Sequence, residues 1–285
     1  MIYTTLITAS QLKSLSDAFI ADCSFDLADP SAGERAYAQS HIAGAVYLHL
    51  DRDLSAAKIG QPPVNGRHPL PTREWMAERL RQAGLRTGQP VVVYDRSGSM
   101  FCVRLWWMLR WLGHSAVAVL DGGFQAWQAE GGAVTPEVPK LARGNFAAGR
   151  ALVTAIHKHD VAANLHTRAR TLLDARAPER FRGEVEPMDP VAGHIPGALN
   201  RFYKDNLNAD GRFKPAEQLR SEFTQLLGMR APHEVVAQCG SGVTGCHNIL
   251  AMEYAGLHGV LLYPGSWSEW CMDSTLPVAN ALYCN

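Results

Sequence analysis

The chain repeats itself, and that internal period limits what it can fold into more sharply than any single motif. A helix-compatible segment, Thr8-Ala9-Ser10-Gln11-Leu12-Lys13, precedes an apolar stretch ending in Phe19-Ile20-Ala21-Asp22, and then comes His41-Ile42-Ala43-Gly44-Ala45. The second half runs in the same order: Val153 to Lys158, then Leu172-Leu173-Asp174, then His194-Ile195-Pro196-Gly197-Ala198. Val91-Val92-Val93-Tyr94, its Gly/Ser loop and the apolar run from Met100 to Leu112 match Val235-Val236-Ala237-Gln238, the loop at Cys239, and Asn248 to Ala255. Each half closes on a last apolar strand, Ala116 to Leu120 or Gly259 to Tyr263. An aromatic segment follows, Gly122-Gly123-Phe124-Gln125-Ala126-Trp127 or Gly265-Ser266-Trp267-Ser268-Glu269-Trp270.

Short Val/Ile/Leu strands without polar alternation, separated by helix-length segments, are the pattern of parallel sheets covered on both faces. The expected fold class is therefore α/β, with two doubly wound parallel-sheet domains in tandem. A length of 285 residues suits two domains of ordinary size. Residues 131–150, rich in Gly, Pro and Ala and without periodicity, read as the linker. The expected division is 1–145 and 146–285.

Charge excludes some functions. The 27 basic and 27 acidic residues balance, so no global field gathers nucleic acid or anionic lipid, and anion selectivity has to be local. No apolar run is long enough to span a bilayer. The start, Met1 to Leu6, lacks the basic and apolar regions of a secretory signal, so a cytoplasmic location is expected. Six cysteines, at 23, 102, 239, 246, 271 and 284, include no CxxC pair and fit neither a disulfide framework nor a zinc site.

One cysteine stands apart. The strand Val235–Gln238 delivers Cys239 into Gly240-Ser241-Gly242-Val243-Thr244-Gly245, after which helix-compatible residues resume. Ligands of open α/β sheets bind at the carboxyl ends of strands. Glycines there let successive N–H groups turn inward, and a following helix start adds positive potential. Such a cradle favours a thiolate, a persulfide anion or a bound oxyanion. A cysteine phosphatase also carries its nucleophile on a strand-loop-helix turn, but its pattern is Cys, five residues, Arg. Here position 245 is glycine, so the phosphate-clamping cation is missing.

These residues resemble the tandem rhodanese family. Cys239-Gly240-Ser241-Gly242-Val243-Thr244 is similar to the active loop of its 3-mercaptopyruvate sulfurtransferases, whereas relatives favouring thiosulfate typically carry Arg-Lys where this chain has Gly240-Ser241. The two HIxGA boxes and the Gly-Ser-Trp-Ser-Glu-Trp segment extend the resemblance over nearly the whole chain. It implies two rhodanese-like domains, with Cys239 as nucleophile and a relay of Ser241, His68 and Asp51, the last two from an inactive first half. It also implies donor binding by Arg180 together with Gly240, Gly242, Val243 and Thr244. No metal or organic cofactor is implied. In the first half the equivalent loop reads Asp95-Arg96-Ser97-Gly98-Ser99-Met100, with aspartate in place of the nucleophile.

The implied reaction carries sulfur from 3-mercaptopyruvate through a persulfide to a thiol such as thioredoxin, or to cyanide. A second arginine, usual in the family's Glu-Pro-Arg stretch, is replaced in Glu186-Pro187-Met188-Asp189, which keeps thiosulfate open as the donor. A non-catalytic sulfur-carrier or partner-binding module is the alternative from another class. His41 and His194 recur at matching places although only one half is active, and so read as structural. Arg176 reads as structural too, and Trp267 and Trp270 as core aromatics. A redox role for Cys246 or Cys284 is left open by the sequence.

Overall fold

The computed structural model describes residues 2–280, and Cys284 lies outside them. The chain forms two compact units. The first comprises residues up to Ala56, Pro71–Leu152 and Leu207–Phe213; the second comprises Ala57–Leu70, Val153–Asn206 and Lys214 onward. Each unit thus takes a short segment from the other's stretch of sequence. Residues 57–70 fall in the first half of the sequence, but their contacts belong to the second unit.

In chain order the first unit contains β1 (Leu6–Ile7), α1 (Ala9–Lys13), β2 (Phe19–Asp22), α2 (Ala32–Gln39), β3 (His41–Ile42), β4 (Val46–Tyr47) and α3 (Leu50–Asp53). It continues with α4 (Arg73–Gln82), β5 (Val91–Tyr94), α5 (Cys102–Trp111), β6 (Val117–Leu120), α6 (Gly123–Ala129) and β7 (Val134–Thr135). Five of these strands form a parallel sheet in the order β1-β6-β5-β2-β4, and β3 pairs antiparallel with β7. All four residues of β5 and of β6 are buried, as the unbroken Val/Ala/Leu runs require. Ile7, Leu12, Val92, Leu120, Phe124 and Trp127 share one core.

The second unit contains α7 (Lys158–Thr167), β8 (Thr171–Asp174), α8 (Pro178–Phe181), β9 (Leu199–Asn200), α9 (Ala216–Leu227), β10 (Val235–Gln238), α10 (Gly245–Tyr254), β11 (Leu261–Leu262) and α11 (Ser266–Trp270). Its parallel sheet runs β11-β10-β8-β9. The counterpart of β1 is reduced to a single parallel bridge between Ala155 and Leu262, and that of the β3–β7 pair to an antiparallel bridge between His194 and Ala279. Ile156, Val161, Leu172, Val236, Trp267 and Trp270 form its core.

In both sheets the chain reverses its direction of travel beside a central strand pair, β2 with β5 and β8 with β10. That reversal opens a crevice at the strand ends, the usual place for a site in open α/β sheets. The irregular stretch read as a linker is strapped along the first unit. Gly144 N–H bonds Arg81 O (2.8 Å), Phe146 N–H bonds Leu85 O (3.1 Å), and the Phe146 ring is buried. A Cβ at Gly144 would lie 1.9 Å from Leu85 O, so glycine is what lets the strap lie so close.

The histidines of the two HIxGA boxes do the same work. His41 Nδ1 donates to Tyr37 O (2.7 Å) and its ring stacks on Tyr37 at 3.8 Å; His194 Nδ1 donates to Phe181 O (2.7 Å) and stacks on Phe181 at 3.8 Å. Each pins the last turn of the preceding helix to the start of its box.

Candidate active site

Cys239 follows directly on β10 and is almost fully buried. Its N–H donates to Ser266 Oγ (3.1 Å), and its carbonyl and that of Gly240 accept the N–H groups of Trp267 (3.0 Å) and Ser268 (2.9 Å). The aromatic segment α11 thereby fixes the base of the loop. Ser266 holds a left-handed backbone (φ 54°) although it is not glycine, and its hydroxyl also donates to Tyr263 O (2.9 Å). These bonds over-determine a conformation that costs a non-glycine residue energy.

The loop turns tightly. Gly242 has φ +74°, and a Cβ there would lie 2.2 Å from Pro264 O, so no other residue fits. Ser241 N–H points at Cys239 Sγ (3.5 Å). Val243 and Thr244 are buried and lead into α10, their carbonyls accepting the N–H groups of Cys246 and His247 (both 3.1 Å). Cys246 Sγ–H reaches back to Gly242 O (3.5 Å), so this thiol is engaged inside the loop.

Ser241 Oγ is 2.7 Å from His68 Nδ1, both side chains being buried. The loop carrying His68 is tied down one residue earlier, where Arg67 N–H donates to Ser268 Oγ (3.0 Å). Asp51 belongs to the first unit, in the short helix α3 that His49 caps through the N–H groups of Asp51 (3.1 Å) and Arg52 (3.3 Å).

Charged groups alternate beside the loop. Arg176 meets Asp174 (2.7 Å) and Glu186 (3.5 Å), donates to Gly193 O (2.8 Å), and lies over the Trp267 ring (4.8 Å). Burial opposes its charge, but the neighbouring anions, Asp174 first, outweigh that and push its pKa up. Arg180 bonds Glu186 (2.6 Å) and Asp189 (3.4 Å), and Asp189 also pairs with Arg67. Glu186 shapes this turn by accepting the N–H groups of Met188 (3.1 Å) and Asp189 (3.2 Å). Burial raises the pKa of Asp189, and the two guanidiniums oppose the rise.

The structure thus brings Cys239, Gly240, Ser241, Gly242, Val243, Thr244, His68 and Arg180 into one neighbourhood. Sequence reasoning missed Arg67, Asp189 and Ser266. Arg67 had one available signal, its position beside His68. Trp267 and Trp270 are core residues, as read from the sequence, their indole N–H groups donating to Val191 O (2.9 Å) and Pro277 O (3.0 Å).

Comparison with known proteins gives the family. The model of the rhodanese-like domain matches twice, at residues 8–130 and 157–273, and the chain belongs to the rhodanese family. It is 48% identical to a protein of Pseudomonas aeruginosa named a probable 3-mercaptopyruvate sulfurtransferase, over 96% of this chain and 98% of that one. A thiosulfate sulfurtransferase of Mus musculus is 33% identical over 88% of this chain and 84% of its own length. The solved 3-mercaptopyruvate sulfurtransferase from Leishmania major superposes with a TM-score of 0.83 at 29% identity, covering 96% of this chain and 76% of that one. These relatives are sulfurtransferases, and so is this chain. Among the described residues no helix is long and apolar enough to cross a membrane.

Proposed function

We propose that the protein takes sulfur from 3-mercaptopyruvate and passes it on through a persulfide on Cys239. The observation that carries this reading is the Ser241–His68 hydrogen bond beside Cys239 Sγ in a loop whose residue 240 bears no side chain. In the first half-reaction the Cys239 thiolate attacks the donor sulfur. The carbon–sulfur bond breaks, and its electron pair leaves on the enolate of pyruvate. A proton then reaches the enolate carbon through the Ser241 hydroxyl and His68, with Asp51 as the third member of the relay. In the second half-reaction an acceptor thiolate or cyanide attacks the outer sulfur and the Cys239 thiolate is restored.

Arg180 receives the donor carboxylate, and Gly240, Gly242, Val243 and Thr244 line the cradle. The first half, 1–145, is silent because Asp95 cannot form a persulfide, and the second, 146–285, is catalytic, with 57–70 of the first half packed into the catalytic unit. A cytosolic thiol such as thioredoxin is a suitable acceptor, in keeping with a cytoplasmic protein. Initial rates with 3-mercaptopyruvate and thiosulfate under identical conditions test the donor. The specificity constant for 3-mercaptopyruvate should exceed that for thiosulfate by at least about tenfold, the least that a lost charged hydrogen bond would cost the wrong donor. The reverse preference overturns the donor assignment.

A further inference from the structure

Gly240 leaves a space, and two guanidinium groups border it. A Cβ at Gly240 would lie 2.6 Å from Arg67 Nη2, 3.6 Å from Arg180 Nη1 and 3.8 Å from Arg180 Nη2. Two cations that close repel each other unless a carboxylate holds them. Asp189 does so, pairing with Arg67 through Oδ1 and with Arg180 through Oδ2. The Asp189 side chain is nearly buried, with an exposure of 3%, while each arginine side chain keeps 18%. Neither Arg67 Nε nor Arg180 Nε has a hydrogen-bond partner among the described residues, although both atoms are buried. The atoms that border the space over Gly240 are guanidinium Nη nitrogens of both arginines, so an anion arriving there would meet donors from each.

We propose that Arg67 is a second donor-binding residue, sharing the donor's carboxylate with Arg180, and that Asp189 is the positioning residue holding the pair. This rests on Cys239 as the sulfur acceptor and extends the reading of its donor. Arg67 supplies from residues 57–70 the second cation that Met188 does not supply. Three guanidiniums, on Arg67, Arg176 and Arg180, face three carboxylates, on Asp174, Glu186 and Asp189. A neutral cluster of this kind suits a singly charged carboxylate better than the dianion of thiosulfate.

The test uses the full chain with Arg67→Gln, Arg67→Lys and Asp189→Asn. For 3-mercaptopyruvate, Arg67→Gln should raise KM by roughly 10–100-fold, the worth of a charged hydrogen bond, with the loss in KM rather than in kcat. Pyruvate, which keeps the carboxylate and lacks the sulfur, should weaken as a competitive inhibitor by the same factor. Arg67→Lys should recover part of both, since it keeps the charge and loses the fork. Asp189→Asn should raise the KM for 3-mercaptopyruvate and shift the donor ratio toward thiosulfate. An unchanged pH profile of kcat in Arg67→Gln excludes an effect relayed through His68, and near-ultraviolet circular dichroism checks the fold. Unchanged KM and unchanged pyruvate inhibition in folded Arg67→Gln overturn the proposal, as does a loss confined to kcat. If wild type turns over only thiosulfate and Arg67→Gln raises that KM, the donor assignment and the sharing of a carboxylate both fall, and Arg67 stands only as a cation that binds the donor anion.

Discussion

Two loops of common design end the central strands of the two sheets, and they differ in what fills them. After β5, Asp95 turns its carboxylate back into its own loop. Oδ1 accepts the N–H groups of Ser97 (2.8 Å) and Ser99 (3.0 Å), and Oδ2 those of Phe101 (2.8 Å) and Cys102 (2.9 Å). After β10, Cys239 stands at the matching place, and Ser241 N–H reaches its sulfur at 3.5 Å. The surroundings correspond closely: Phe124 N–H bonds Asp95 O (3.1 Å) as Trp267 N–H bonds Cys239 O (3.0 Å). At the left-handed position before that bond the first unit has Gly123 (φ +58°) and the second has Ser266 (φ 54°). The backbone cradle therefore accommodates negative charge in either unit. In one it is a fixed carboxylate, and under the proposed function the other holds the place for a sulfur anion that comes and goes.

That contrast can be broken at several points. Cys239→Ser should cut sulfur transfer by at least about 10³-fold, because an alcohol replaces the thiol proposed to take up sulfur. Transfer within tenfold of wild type in initial-rate assays would remove Cys239 from the chemistry. The mirror change, Asp95→Asn, should leave the chemistry alone and strike the fold. An amide can accept at only one of the two places, leaving two N–H groups facing a donor, at a cost on the order of 3 kcal/mol. Urea unfolding of the first unit measures this, and a cost under about 1 kcal/mol would mean that the carboxylate is not what closes that loop.

The smallest expected effect concerns the paired histidines. Burial holds the pKa of His194 below its ordinary value, and donation to Phe181 O only partly offsets this. The unfolded chain then binds a proton that the folded chain refuses, so this part of the stability is present above about pH 6.5 and is lost as the pH falls through the folded pKa. Replacing His194 with Gln, which can still donate to Phe181 O, should flatten the fall in unfolding free energy between about pH 7 and pH 5 by under about 1 kcal/mol. His114, also lowered by burial, leaves a residual slope. A slope unchanged from wild type would show that His194 does not titrate in this range.

The strands and both loops were legible in the sequence because a parallel sheet writes itself as apolar runs and a repeat writes it twice. Val91–Tyr94 and Val235–Gln238 are such runs, and both are strands. Residues 57–70 were not legible in the same way. They carry no periodicity, and their attachment to the second unit is made by bonds such as Arg67 to Ser268, 201 positions away. Resemblance to a family could point to His68 but not to its neighbour Arg67. Asp189 stood out only as a departure from pattern at 188, until the structure put it between two arginines. Ser266 hid its strained backbone behind an ordinary residue type, although its counterpart Gly123 marks the same turn.

The allocation of residues 57–70 bears on inheritance as well as on chemistry. A duplicated domain can ordinarily be lost, or recombined elsewhere, once its own activity has decayed. Here the stretch that packs with the second unit, and carries both His68 and Arg67, is encoded inside the first half. If His68 and Arg67 act as proposed, deleting the first half would delete them too, and the two halves would persist only as one hereditary unit.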